Sequence, residues 1–308
     1  MNIAICSQKG WLLPLARHLE LEGHDVTIIA KPELVGPRDD LLLTDTTVDP
    51  SNRRVPTIGG GDTLHGELLR PYNLVPGPSR GDHIVVKWFD RSQGFHPQLL
   101  LGFPVSKFMV GDLGTCVQAG MGARYMSECD LLQDLFMGNV ALKATLEAMG
   151  FSGPVIIERD SRTKGVVSIH MGLRSIVLYN MFEGLPCSIV EWLDDPLSKT
   201  LYQSWTVNIL VSRYPYPFQL EDGNVPLTGL TRSAEKHFWT FGGTEFKRSV
   251  STHQTRLGLA TGWGQTLSDA GRTSLSLARS VDVPDVQYRT DVPLVVGDRW
   301  HDVQGSLS

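Results

Sequence analysis

Apolar positions fill Ile3 to Cys6 up to a polar turn at Ser7-Gln-Lys-Gly10. Leu12, Leu13, Leu15, Ala16, Leu19 and Leu21 then recur at helical spacing until Gly23. The β-branched run Asp25–Ala30 predicts a second strand. Strand, helix and strand make a βαβ unit of a parallel sheet, Rossmann-like in shape and with a right-handed crossover. Ligands on such sheets sit past the carboxyl ends of the strands, which makes Ser7, Gln8, Lys9 and Gly10 candidates.

From Lys31 to Gly81 the pattern decays into prolines, glycines and isolated polar residues, which reads as loop or linker with only short structure. His83–Asp90 is a strand by its β-branched and aromatic content, and Leu99–Leu101 a second, in a hairpin or meander. A helix is expected over Cys129–Met149, with Ser127 as cap and Leu132, Leu135, Phe136, Val140 and Leu146 on one face. Pro154–Glu158 and Gly165–Ile169 form a hairpin, and Arg174–Glu183 reads as a helix. Short strands follow at Trp205–Ser212, Val225–Leu230, His237–Phe241 and Arg256–Thr261. Thr266–Ser280 closes the pattern as a helix capped by Thr266, with Asp269 near its start. The chain thus divides into a βαβ unit (1–35), a linker or irregular segment (36–82), a central α+β region (83–198) and a small C-terminal α+β domain (199–308).

Composition narrows the function classes. The 308 residues are 41% hydrophobic and 20% charged, a globular balance with none of the signs of disorder or fibre. The net charge of -5 is spread thinly and no basic run is long enough to grip a polyanion, which disfavours nucleic acid as a partner. The longest apolar stretches fall far short of the roughly 20 residues of a membrane helix, so no membrane association is expected. The start of the chain lacks the pattern of a secretory signal, and a cytoplasmic location is expected. Cys6, Cys116, Cys129 and Cys187 are too scattered for a zinc or disulfide framework.

Candidate chemistry concentrates in few places. Gly111-Asp-Leu-Gly-Thr-Cys-Val-Gln-Ala-Gly-Met-Gly122 is rich enough in glycine for close backbone approach to a phosphate, or is a plain connector between strand and helix. Lys9 and Gly10 sit where a strand meets a helix N-terminus, a place that favours anions, or Lys9 is simply solvated. Arg256 suits a phosphate fork, or a surface salt bridge. The histidines form no metal-ligand or nucleophile-elbow pattern.

Two stretches carry a resemblance. The run Gly258-Leu-Ala-Thr-Gly-Trp-Gly-Gln-Thr-Leu-Ser-Asp-Ala-Gly-Arg-Thr-Ser-Leu-Ser-Leu-Ala-Arg-Ser280, with Gln287-Tyr-Arg-Thr-Asp-Val292 after it, and the block from Gly111 to Ala123 resemble phosphoribosylamine-glycine ligases. These are ATP-grasp enzymes of purine synthesis. The resemblance implies a reduced ATP-grasp ligase, α/β plus α+β, with a Rossmann-like N-terminal unit and a small C-terminal domain. The terse architecture suggests a bacteriophage homologue.

Of the family's glycine loop the chain keeps Gly111, Asp112, Gly114, Met121 and Gly122, while Thr115-Cys116-Val117-Gln118 replaces its Pro-Asn-Thr-Gly centre. With Lys9, Gly10 and Arg256 these are the expected substrate-binding residues; no catalytic residue is assigned. Lys9 and Arg256 are expected to line a phosphate-sized pocket, and Arg289 and Asp291 to anchor the tail.

The resemblance implies ATP and magnesium as cofactors, yet Ser168, His170 and Gly172 stand at the family's Glu, Asn and Arg metal-site positions. A hydroxyl does not replace a carboxylate's charge and imidazole is a poor magnesium ligand, so the chain is expected to hold no such metal; a slipped register would bring in Glu158 or Glu183. Val85-Val-Lys87 is followed by Trp88-Phe-Asp90 where the family has a glycine-rich cover, which implies that much of the nucleotide lobe is missing. Two functions stay open. One is an ATP-dependent carboxylate-amine ligase acting on phosphoribosylamine or another nucleotide amine. The other is an inactive relative that binds a phosphate-bearing small molecule or a protein.

Overall fold

The computed structural model describes the chain except for residues 8–11, 30–38, 45–56, 60–80, 128–131, 133–134, 137–138, 164, 174–175, 220–223, 242–243, 247–248, 254 and 308. The first unit is a parallel sheet in the order β2-β1-β3-β4, made of β1 (Asn2–Cys6), β2 (Asp25–Ile29), β3 (Leu41–Thr44) and β4 (Thr57–Gly59). Helix α1 (Leu13–Leu21) crosses from β1 to β2 and ends at Gly23, whose φ of 91° only glycine adopts freely. Segment 36–82 therefore contributes two short strands, β3 and β4, to this sheet.

The second sheet is antiparallel and holds ten strands. Its path uses β5 (His83–Asp90), β7 (Leu99–Met109), β8 (Leu113–Met126), β9 (Gly153–Arg159), β10 (Val166–Met171), β11 (Trp205–Arg213), β13 (Phe238–Thr240) and β16 (Arg256–Gly264), in the order β10-β9-β5-β7-β8-β11-β16-β13. Strand β6 (Gly94–Phe95) flanks β5, and β17 (Val286–Tyr288) flanks β11. A separate small sheet joins β12 (Asn224–Pro226), β15 (Ser249–His253) and β14 (Thr244–Phe246). Pairing of Met121 with Asn208 ties β8 to β11, so strands before and after residue 199 share one sheet.

Period-2 alternation gives this sheet two buried faces. Ile84, Val86, Trp88, Met121, Ile156 and Leu259 pack on the N-terminal unit and on helices α3 (Val177–Glu183) and α4 (Ile189–Asp194). Val85, Leu101, Phe103, Ile157, Val207 and Ile209 pack on helix α2 (Val140–Ala148) and on the C-terminal helix α7 (Val292–Leu307). Short helix α5 (Arg232–Glu235) and α6 (Leu267–Ser280) complete the fold.

The cap of α6 is as the sequence predicts, with the Thr266 hydroxyl accepting from the Asp269 backbone N–H at 3.1 Å. Arg289 and Asp291 also pair, at 2.5 Å. Three local expectations are corrected. The helix expected over Cys129–Met149 is interrupted: Leu132, Leu135 and Phe136 are helical, then Asn139 leaves helical geometry (φ -95°, ψ 84°) and its side chain accepts from the Leu142 N–H at 2.9 Å, capping α2. Helix α3 starts at Val177 rather than Arg174. The stretch from Gly111 to Gly122 is no phosphate loop between strand and helix; it is one arm of the long β7–β8 hairpin, turning at Val110–Asp112.

Candidate functional site

The hairpin turn explains the first glycines. Gly111, Asp112 and Gly114 all take positive φ (71°, 57° and 79°), which Gly permits without strain and Asp tolerates. The Asp112 side chain is about half exposed. Its carboxylate meets the Arg289 guanidinium at 2.9 Å, and Arg289 also binds Asp291 and donates to the Lys107 carbonyl at 2.9 Å. Gly111 N–H donates to Asp291 at 2.9 Å, so the turn is bolted to the segment that leads into α7. Burial disfavours the Asp291 carboxylate, but the Arg289 hydrogen bonds overcome that and hold it below the ordinary carboxylate range.

The later glycines serve packing. A Cβ on Gly122 would lie 2.3 Å from a Val296 methyl, and one on Gly120 would lie 2.7 Å from the Asn208 carbonyl oxygen. Met121 points to the other face, into the core with Ile84 and Val177. Asp112 and Gly114 at the turn are thus apart from Met121 and Gly122 in the sheet, and those last two face opposite sides. Lys9 and Gly10 lie outside the described residues.

Arg256 begins β16, and its guanidinium stacks 4.5 Å from the Phe241 ring centre. Its Nε is buried without a hydrogen-bond partner, and none of the ion pairs among the described residues involves it. Burial raises the neighbouring Tyr216 hydroxyl above its ordinary pKa, against the opposing pull of the Arg256 charge. Tyr216 also packs edge-on against Phe108 of the β7–β8 hairpin, with ring centres 5.6 Å apart. Phe241 and Tyr216 escaped the sequence reading because each comes from a different loop and no local spacing marks them.

At the opposite edge of the sheet, β9 and β10 bring Glu158 directly across from Ser168, and His170 across from Ile156, all on the face toward the N-terminal unit. The Ser168 hydroxyl lies 3.0 Å from the Glu158 carboxylate and 2.8 Å from His170 Nε2, and the imidazole is 3.8 Å from Glu158. Glu158, the slipped-register alternative of the sequence reading, therefore stands beside Ser168 and His170. Glu183 is elsewhere, bound to His237 at 2.5 Å. Lys87 projects to the other face, beside the Phe136 ring, with its ammonium 5.9 Å from the ring centre.

Those residues do not fit a pair of hard dications. Magnesium takes an octahedron of oxygens, with one or two carboxylates beside waters and substrate phosphates, and this cluster offers a single carboxylate with a hydroxyl and an imidazole for what would be two ions. No group of three His, Cys, Asp or Glu side chains is arranged for a metal among the described residues. Strands β9 and β16 lie five positions apart in the sheet, so the Glu158 cluster and Arg256 are separate features.

No protein-family model matches the chain, and no curated protein matches it. Solved structures do. Phosphoribosylamine-glycine ligase from Thermotoga maritima superposes with a TM-score of 0.63 at 14% identity, over 94% of this chain and 100% of that one. Urea carboxylase from Kluyveromyces lactis follows at 0.59 and 9%, over 97% of this chain and 31% of that one. A multifunctional pyruvate carboxylase from Rhizobium etli gives 0.55 and 12%, over 99% and 35%. Because the first alignment spans the whole ligase, the expected loss of a nucleotide lobe finds no support in it. No described helix is long and apolar enough to cross a membrane. At these identities the likeness speaks for architecture alone, and the architecture is the mixed α/β fold of the ATP-grasp proteins.

Proposed function

We propose that this chain is a relative of phosphoribosylamine-glycine ligase that retains a site for a phosphate-bearing small molecule but does not ligate on its own at the expense of ATP. The observation that carries the second half is the Glu158, Ser168 and His170 cluster. Phosphoryl transfer depends on dications that bridge and neutralise phosphate charge, and one carboxylate beside a neutral hydroxyl and an imidazole supplies too few anionic oxygens to hold a pair of them. The first half rests on Arg256, a half-buried guanidinium without a carboxylate, whose free N–H groups suit a phosphate. The sequence resemblance makes a phosphoribosylamine or related nucleotide amine the first ligand to try, in purine or nucleotide metabolism.

A second reading, active ligation, is favoured by the superposition that spans the entire Thermotoga enzyme. One experiment separates them. Titration calorimetry with ribose 5-phosphate, for wild type and Arg256→Gln, is paired with an ADP-release assay containing magnesium, ATP, phosphoribosylamine and glycine. The proposal expects binding that Arg256→Gln weakens at least tenfold and no ADP above background. Magnesium-dependent ADP release overturns it in favour of the ligase.

A further inference from the structure

A cavity of about 550 Å³ opens between α6, the segment around α5 and the strand β16. That volume lies within the range of small-molecule sites. Its floor includes the buried Leu277, and its walls carry His237, Arg272, Thr273, Ser276 and Ser280. No carboxylate is among the lining residues.

The polar groups fall into two complementary sets. Thr273 donates its hydroxyl proton to the Asp269 carbonyl at 3.0 Å and Ser280 donates to the Leu277 carbonyl at 2.7 Å, both within α6. Their donors are spent, so they present lone pairs that accept from hydroxyl groups. His237 and Arg272 present the opposite character. His237 uses Nδ1 on Glu183, leaving Nε2 for a ligand, and Arg272 uses one nitrogen on Asp269 at 2.8 Å, leaving the rest of its fork. The Glu183 hydrogen bond raises His237 above the ordinary histidine pKa, which favours the doubly protonated donor form. Thr261, another lining residue, is fully buried and its hydroxyl oxygen has no hydrogen-bond partner.

We infer that this cavity is a second binding site, for a small polyol bearing one anionic group, of the sugar-phosphate class. The hydroxyls of such a ligand donate to Thr273 and Ser280, its sugar face covers Leu277, and its anionic group takes the free N–H groups of His237 and Arg272. This site is built from residues other than Arg256 and stands whether or not the first site exists.

Calorimetry on the full chain carrying Arg256→Gln removes the first site from the measurement. The probes are ribose 5-phosphate, ribose and inorganic phosphate, and the variants added to that background are Ser276→Trp, which fills the opening, and the pair His237→Gln with Arg272→Gln. Ser276 and Arg272 are exposed, so the fold is expected to survive, as circular dichroism verifies. Ribose 5-phosphate is expected to bind the background at least tenfold more tightly than ribose or phosphate, and each added change to weaken it at least tenfold. No binding of ribose 5-phosphate to the background, or binding that ignores Ser276→Trp, overturns the inference. Equal affinity for inorganic phosphate alone overturns the sugar-phosphate class. Failure of the first site instead shows as wild type and Arg256→Gln binding alike.

Discussion

Replacing Gly122 by alanine tests whether the glycines of the β7–β8 hairpin serve packing or a ligand. Its new Cβ would lie 2.3, 2.8 and 3.1 Å from the Cγ1, Cγ2 and Cβ atoms of Val296, which is fully buried on α7. The three nearest atoms all belong to that one side chain. Overpacking of this kind costs about 1–3 kcal/mol. With roughly 2.1 cal/mol/K of unfolding entropy per residue, 308 residues give about 0.65 kcal/mol per degree, so a 2 kcal/mol loss lowers Tm by about 3 °C. Val296→Ala alone costs about 1–3 kcal/mol through lost contacts and a small cavity. In the double variant both methyl clashes are gone and only the 3.1 Å Cβ contact remains, so its stability should lie close to Val296→Ala alone rather than to the sum, a coupling of about 1–3 kcal/mol.

Gly120 provides the contrast. Its nearest obstacle is the Asn208 backbone carbonyl at 2.7 Å, so trimming the adjacent Val292 to alanine should not rescue Gly120→Ala. The assay is urea unfolding followed by circular dichroism, with ligand affinity measured in parallel. Additive losses for Gly122 and Val296, or a Gly122→Ala protein that keeps its stability and loses only ligand binding, would refute the packing argument.

Further outcomes follow from the ion pairs that anchor the hairpin turn. Arg289→Met removes a fully buried guanidinium from between Asp112 and Asp291 and should cost about 2–3 kcal/mol in urea unfolding, the low side of a buried pair because both partners keep some contact with water. An unchanged midpoint would show that the turn is held by other contacts. Asp291 is held below its ordinary pKa in the folded chain, so its stabilising contribution is present above about pH 4 and is lost as pH falls through the lower folded value. Asp291→Asn should therefore flatten the acid side of the stability curve, and an equally steep acid limb in the variant would contradict that assignment.

Local structure was largely legible along the chain. Period-2 and period-3.6 patterns marked β1, α1, β5, β9, β11 and α6, because each buries a face that must be apolar at fixed spacing. Thr266 announced its cap, since partners three residues apart carry their geometry with them. Helix α7 was not read, although it covers β7 and β8; Val292-Pro-Leu-Val-Val-Gly297 has β-branched residues and a glycine that argue against a helix until a sheet face is there to bury them.

The site depended on folding. Nothing in the primary order of residues says that Glu158 will stand across from Ser168, because that is set by the register of β9 on β10. Nor does it say that Phe241 and Tyr216 will meet at Arg256, or that the glycines from 111 to 122 divide between a turn and a helix contact. The sequence determined which residues prefer strand, helix or turn, because those preferences are local. Tertiary structure alone decided which polar groups became neighbours and which were left unpaired, because contacts between distant segments depend on sheet order and on what each face must cover.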